Sequence, residues 1–366
     1  MKKSVITLAL VLVIALLTGC AGTPVVYYSD CTCPTGAHTE TTPVETTPVE
    51  TAPVETAPAV EGAVKTGVAI VASAAESKSA DAENAGEAKY DVTIVAVNVD
   101  DNGVITNCII DSIGTSVAFD AAGVITTDLT AAVATKNELG DAYNMKLYGG
   151  AVAEWYEQAA ALASYAVGKT VEELKTGAVG ETGYAQDADL ATTATIYLGG
   201  YVSAIENAVF NAQHLGAQAG DELKLGILPS VGSSASADAE NAGLAQLDVD
   251  AVALTMKDGV ITSAQIDSVQ GKVNFDASGV ITGGTDGIFA SKNMLGEQYG
   301  MVAWGGAIAE WNQQAASFAA YITGKTPAEV SGIAIDEGTK PTEADLATSV
   351  TIAIGGFQAL IAKACN

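Results

Sequence analysis

The side chains with chemistry to offer come in two sets of the same design. Asp187 and Asp189 lead into Thr192-Thr193-Ala194-Thr195, and Glu343 and Asp345 lead into Thr348-Ser349-Val350-Thr351. The sets lie 156 residues apart. The acids read as helix caps or a solvated acidic turn, or as paired carboxylates for calcium or proton transfer. Neither set has the alternating ligand loop of a calcium-binding helix–loop–helix, and an acid pair alone specifies no reaction. The hydroxyls offer acceptor oxygens at the mouth of a helix. Little else competes. The two histidines, His38 and His214, are far apart and do not occupy matching positions. Of the five cysteines, Cys20, Cys31, Cys33, Cys108 and Cys365, none forms a zinc-spaced set. A Ser/His/Asp or Cys/His nucleophile system lacks material. We therefore assign no catalytic residue and no metal ligand.

The elements that must hold these segments are themselves duplicated. "SADAENAG" at Ser79 recurs at Ser236, "FDAAGVIT" at Phe119 recurs as "FDASGVIT" at Phe275, and "GGAVAEWYEQAAALASYAVGKT" at Gly149 recurs as "GGAIAEWNQQAASFAAYITGKT" at Gly305. One residue is lost in the second copy, where "DDNG" becomes "KDG". A period of this length is domain-sized rather than solenoid-sized. The reading is two homologous domains, 64–215 and 224–366.

Two apolar runs flank Asn102-Gly103, a hairpin signal with positive φ at both central positions, and "NGVIT" there recurs as "DGVIT" at Asp258. "VAFDAAGVIT" reads as a second small hairpin. Val152, Trp155, Ala159, Leu162 and Ala166 fall at helical intervals, and Gly168 stops that helix. Thr170 with Glu173 forms a capping box for the next, and Thr326-Pro327 starts its counterpart. The expected fold class is α+β, each domain a small antiparallel sheet with packed helices. Trp155 and Trp311 read as core anchors, with stacking on a planar ligand as the other role. Lys136-Asn137 and Lys292-Asn293 are open to phosphate contact or plain exposure, and Tyr143 and Tyr299 decide nothing.

Ahead of the repeats, Met1-Lys2-Lys3, an apolar run to Leu17 and Leu17-Thr18-Gly19-Cys20 form a secretory signal over 1–20. The run is too short to span a bilayer comfortably. Residues 21–63, rich in Thr-Pro-Val-Glu, read as a disordered stalk. Cys31 and Cys33 fall inside it, open to a strained local disulfide or to intermolecular pairing. The chain of 366 residues carries 16 basic against 43 acidic side chains, and all the basic ones are lysine. No basic stripe exists to displace phosphate counterions, so nucleic acid is excluded as a partner. Without arginine the bidentate phosphate clamp is missing too.

Two resemblances follow. "LTGC" resembles the bacterial lipobox, which implies lipidation of Cys20, membrane attachment through that lipid, and an extracytoplasmic location at the cell membrane. The hairpin "NGVIT…IIDSI" together with the threonine segment entering the last helix resembles the FMN-binding domain. That family carries FMN esterified through its phosphate to the threonine of a Ser-Gly-Ala-Thr segment. The resemblance implies FMN at Thr195 and Thr351, electron transfer, and a redox partner protein. This chain departs from the motif with Thr193 and Ser349 for glycine and Val350 for alanine, β-branched or hydroxylated residues that crowd the site. The alternative reading is a cell-surface binding or structural lipoprotein that carries no cofactor.

Overall fold

A computed structural model describes residues 62–366. The signal, nearly all of the stalk, Cys20, Cys31, Cys33 and His38 lie outside the described residues.

In the first repeat the chain forms β1 (Lys65–Ser73), β2 (Gly86–Val99) and β3 (Ile105–Phe119). The helices α1 (Lys136–Leu139), α2 (Met145–Gly149), α3 (Trp155–Ala166), α4 (Val171–Gly177), α5 (Ala188–Thr193) and α6 (Gly199–Asn211) follow. The second repeat forms β4 (Glu222–Ser230), β5 (Gly243–Lys257), β6 (Val260–Phe275), β7 (Ile281–Gly283) and β8 (Ile288–Phe289). Its helices are α7 (Lys292–Leu295), α8 (Met301–Gly305), α9 (Trp311–Ile322), α10 (Pro327–Ser331), α11 (Ala344–Ala347) and α12 (Gly355–Cys365). The expected class, an antiparallel sheet with packed helices in each repeat, is what the structure shows.

Each sheet is buried on both faces. Along β1, Val68, Ile70 and Ala72 point to one cluster while Ala69 and Val71 point to another. The first cluster is shared: it joins β1–β3 to Leu223, Ile227, Leu247, Val249, Val269 and Phe275 of the second repeat. The outer faces are covered by helices, α3 and α6 on one side and α9 and α12 on the other. The result is a helix–sheet–sheet–helix sandwich, and it explains why the strands read as near-continuous apolar runs rather than as alternating ones.

Contacts between the repeats are reciprocal. Phe119 and Phe275 stack with ring centroids 4.0 Å apart and planes within 1°. Ala80 donates its N–H to the Gly279 carbonyl and Ala237 donates to Gly123, each at 2.8 Å. Ile281 N–H donates to Ser79 Oγ and Ile125 N–H to Ser236 Oγ, each at 2.9 Å. The duplicated motifs "SADAENAG" and "FDA(A/S)GVIT" therefore meet in trans. Gly123 and Gly279 both have φ of +68°, and a Cβ on either would sit 2.8 Å or less from the other repeat. Glycine is needed there for both reasons. Tyr90, fully buried, donates its hydroxyl to the Ala245 carbonyl at 2.7 Å. Strand β8 pairs with β1, so the first sheet runs β3-β2-β1-β8 and the second runs β4-β5-β6-β7.

The single deletion changes a turn type. In the first copy Asn102 is not left-handed; Gly103 alone has positive φ, +81°. Asp100 Oδ1 accepts from Asn102 N–H and Val104 N–H at 2.8 Å each, closing a longer loop beside a register shift. In the second copy Asp258 (+50°) and Gly259 (+80°) are both left-handed, the two-residue primed turn. The expectation of two left-handed residues at Asn102-Gly103 therefore fails, because the extra residue in the first copy lets the loop close with one glycine. A smaller correction concerns Val152. Glu154 caps α3, so Val152 lies before the helix and is exposed.

Phe119→Ala removes half of the stacked pair from the shared core. It is expected to cost about 3–5 kcal/mol, read as a lowered urea midpoint with an unchanged m-value.

Candidate functional site

The threonine segments sit in links between a short helix and the last helix of each repeat. Asp187 caps α5, its Oδ1 accepting the N–H groups of Asp189 and Leu190 at 3.0 Å each. Glu343 makes no such cap; it accepts the Tyr321 hydroxyl and, at 3.4 Å, the Ala334 N–H. The hydroxyls that stand in for glycine turn back onto their helices. Thr193 donates to the Leu190 carbonyl at 3.1 Å and Ser349 to that of Leu346 at 3.2 Å.

Thr195 and Thr351 are placed alike. Each is held by the side-chain oxygen of a fully buried glutamine on the long helix. Gln158 Oε1 accepts the Thr195 N–H at 2.7 Å and its hydroxyl at 3.2 Å, and Gln314 does the same for Thr351 at 2.8 and 3.2 Å. The glutamine amides donate to the carbonyls of Ala153 and Ala309 at 2.8 Å. Thr195 is exposed and Thr351 half-buried. Neither hydroxyl lies in the first turn of the last helix, which opens at Gly199 and at Gly355. Leu198 and Gly199 give their N–H groups to the Gly183 carbonyl at 2.8 and 3.0 Å, so the start of α6 is partly consumed within the chain.

A second paired arrangement surrounds the lysines. Lys136 Nζ lies 5.2 Å from the Tyr143 ring and 5.1 Å from the Trp155 ring; Lys292 Nζ lies 5.3 Å from Tyr299 and 4.7 Å from Trp311. Both lysines are half-buried over aromatic faces. The tryptophans are core anchors, and Trp155 also donates its indole N–H to the Tyr201 hydroxyl at 3.0 Å. Beneath each lysine a buried aspartate pins the short helix to its sheet. Asp111 Oδ1 accepts from Asn137 N–H, and Asp267 Oδ1 from Asn293 N–H, both at 3.0 Å. Burial pushes the Asp267 carboxyl up from 3.8 to about 6, against hydrogen bonds from Ser291, Asn293 and Ser268 and the charge of Lys292. Burial also raises Asp111. Lys292 is lowered by its own desolvation, with Asp250, Asp248 and Asp267 pulling the other way. Asp250 has Thr93 as its counterpart, so the two copies differ in charge here.

Sequence reasoning passed over Gln158, Gln314, Asp111 and Asp267. Their signal was a polar residue repeated at the same offset inside an otherwise apolar stretch. The buried Glu154 and Glu310 belong with them: each accepts two N–H groups at the start of the preceding short helix, at 2.7 and 3.2 Å for Glu154 and 2.8 and 3.0 Å for Glu310.

A large concave feature among the described residues lies elsewhere. A cavity of about 870 Å³ opens between the repeats, walled by the end of α6 and the chain after it, by β6, by α7 and by one face of α9. Neither Thr195 nor Thr351 lines it. Among the described residues no group of three or more His, Cys, Asp or Glu is placed to hold a metal ion, and no helix is long and apolar enough to cross a membrane.

No protein-family model, no curated protein and no solved structure matches this chain.

The buried aspartate gives a pH signature. A carboxyl whose folded value is raised leaves the folded state holding the proton more tightly than the unfolded state does. Its contribution to stability is full below about pH 4 and is lost as pH rises through about 6. Asp267→Asn keeps an acceptor oxygen and removes the titration. It is expected to flatten the fall in urea stability between those pH values relative to the unmodified protein, by an amount on the order of 2–3 kcal/mol.

Proposed function

We propose that the described body is the ligand-binding part of a lipid-tethered extracytoplasmic protein that carries no resident cofactor. The observation that carries this reading is the cavity between the repeats, about 870 Å³, within the range of about 300–1,000 Å³ usual for small-molecule sites. Tethering rests on Leu17-Thr18-Gly19-Cys20 and the proline-rich segment after it. The acidic balance suits a soluble exterior surface. The membrane is then a partner through the Cys20 lipid alone, and nucleic acid is not a partner.

A second reading, FMN at Thr195 and Thr351 with electron transfer to a redox partner protein, is favoured by one observation. Two hydroxyls occupy the same position in the two repeats and hang on the same buried glutamine. The residues around them fit the group only in part. A hydroxyl able to accept a phosphoester is accessible at Thr195, and the glutamine would still hold the backbone N–H after esterification. No lysine in the segment clamps a phosphate: the short helices just before it carry Asp187 and Asp189, and Glu343 and Asp345, while the N–H groups of Leu198 and Gly199 at the start of α6 are taken by the Gly183 carbonyl.

One preparation separates the readings. Residues 62–366, produced with and without a flavin transferase, are expected to be colourless and to show the unmodified intact mass in both cases. A flavin nucleotide retained through denaturation, and lost in the Thr195→Ala/Thr351→Ala double variant, would overturn the binding reading and establish the second.

A further inference from the structure

We propose that the cavity between the repeats takes a neutral, mainly apolar small molecule with a ring system, seated against Phe210 and Met294. This inference rests on the binding reading above and names the ligand class for the same cavity.

The internal duplication supplies a comparison. The cleft between the end of α6 and the α7–α9 region has a counterpart between the end of α12 and the α1–α3 region. In that counterpart Lys363 of α12 pairs with Glu138 of α1, so an ion pair ties the two walls together. The matching residues on the cavity side are Asn207 and Met294, which cannot form one. Two bulky side chains are reduced as well: Asn312 stands where the first repeat has Tyr156, and Thr323 where it has Val167. A charged, bridged cleft in one half is thus an open, uncharged one in the other.

The open cleft presents large apolar side chains to water. Phe210 is 88% exposed and Met294 60% exposed, and both line the cavity together with Leu215 and Ile266. A ligand that covers them removes apolar surface from water, the main favourable term in such association. The floor rewards polar groups far less, because its amides are already bonded to backbone. Gln265 Oε1 accepts the Val68 N–H at 2.6 Å and its Nε2 donates to the Asn211 carbonyl at 2.8 Å. The amides of Asn211 and Asn293 donate to the carbonyls of Val68 and Ile266 at 3.0 and 2.9 Å. These bonds also hold the floor in shape before a ligand arrives, which lowers the ordering cost of binding. Charge is excluded on similar grounds. No carboxylate or lysine lines the cavity, and His214 is paired with Asp101 at 2.8 Å. A charged ligand would lose its hydration with no counter-charge to replace it. The Phe210 ring favours a ring in the ligand, through offset or edge-to-face packing, and the flexible Met294 thioether adapts to its outline.

The test is fluorescence titration of the protein with N-phenyl-1-naphthylamine, a neutral apolar probe. 8-Anilinonaphthalene-1-sulfonate, the same ring skeleton with a negative charge, and 1-naphthylmethylammonium serve as charged controls, and maltose as a neutral hydroxylated one. The neutral dye is expected to bind one site per chain, with the charged controls at least tenfold weaker and maltose silent. Phe210→Ser is expected to weaken the dye about tenfold. The double variant Asn207→Lys/Met294→Glu rebuilds the ion pair of the counterpart cleft and is expected to remove binding. Trp304→Ser, an exposed apolar site outside the cavity, is expected to change nothing. If the double variant misfolds, Phe210→Ser, at an exposed position, still decides. Dye binding that neither cavity variant alters overturns the proposal, and so does a charged control that binds as tightly as the dye. If maltose or a charged control binds in a way the cavity variants abolish while the neutral dye does not, the apolar class is wrong and the binding cavity stands. If the protein is a dimer in solution that Phe210→Ser makes monomeric, a second copy covers the face and the small-molecule proposal falls. If no probe responds to either cavity variant, both readings fall.

Discussion

The structure depends on one constraint: each sheet is apolar on both faces. Helices from the same repeat cover one face, and the other face has only the second repeat to meet it. A repeat by itself would leave Val68, Ile70, Tyr90 and Phe119 in water. The duplicated motifs follow from this. Ser79, Ala80 and Gly123 in one copy answer Ile281, Gly279 and Ala237 in the other, so a change in either copy is felt in both. The short pairing of β8 with β1 ties the two further, since a segment of the second repeat extends the sheet of the first.

Within this shared scaffold the copies have diverged where the symmetry does not bind them. The stacked phenylalanines, the buried Glu154 and Glu310, and the glutamines under Thr195 and Thr351 are matched. Asp250 against Thr93, Gln265 against Ile109 and Asn312 against Tyr156 are not. These differences fall on the helix-covered face of the second sheet or around the inter-repeat cavity. Matched residues therefore carry the fold, and the unmatched ones give the two halves different surfaces.

Much of the local structure was legible in the chain. The duplication, the hairpins around Gly103 and Gly259, the capping boxes at Thr170 and Thr326, and the helix from Trp155 to Ala166 are written in short-range signals. What escaped depends on distant partners. Strand β1, a run of small residues such as Gly67 and Ala69, looks weak until β2 and α6 lie on either side. The two-residue strand at Ile288–Phe289 exists only because β1 is there to pair with it. Gln158 looks like one more polar residue on a helix until three donors from the link at Thr195 and Ile196 converge on its oxygen. The cavity was invisible for the same reason: its walls come from Asn211, Gln265 and Ala316, far apart in the chain and brought together by the sandwich.

The central claim is that the two repeats form one cooperative body rather than two domains on a linker. Scanning calorimetry of residues 62–366 tests it directly. The account predicts a single endotherm whose calorimetric and van't Hoff enthalpies agree, a ratio of about one. Two resolved endotherms, or a ratio of about two, would contradict it.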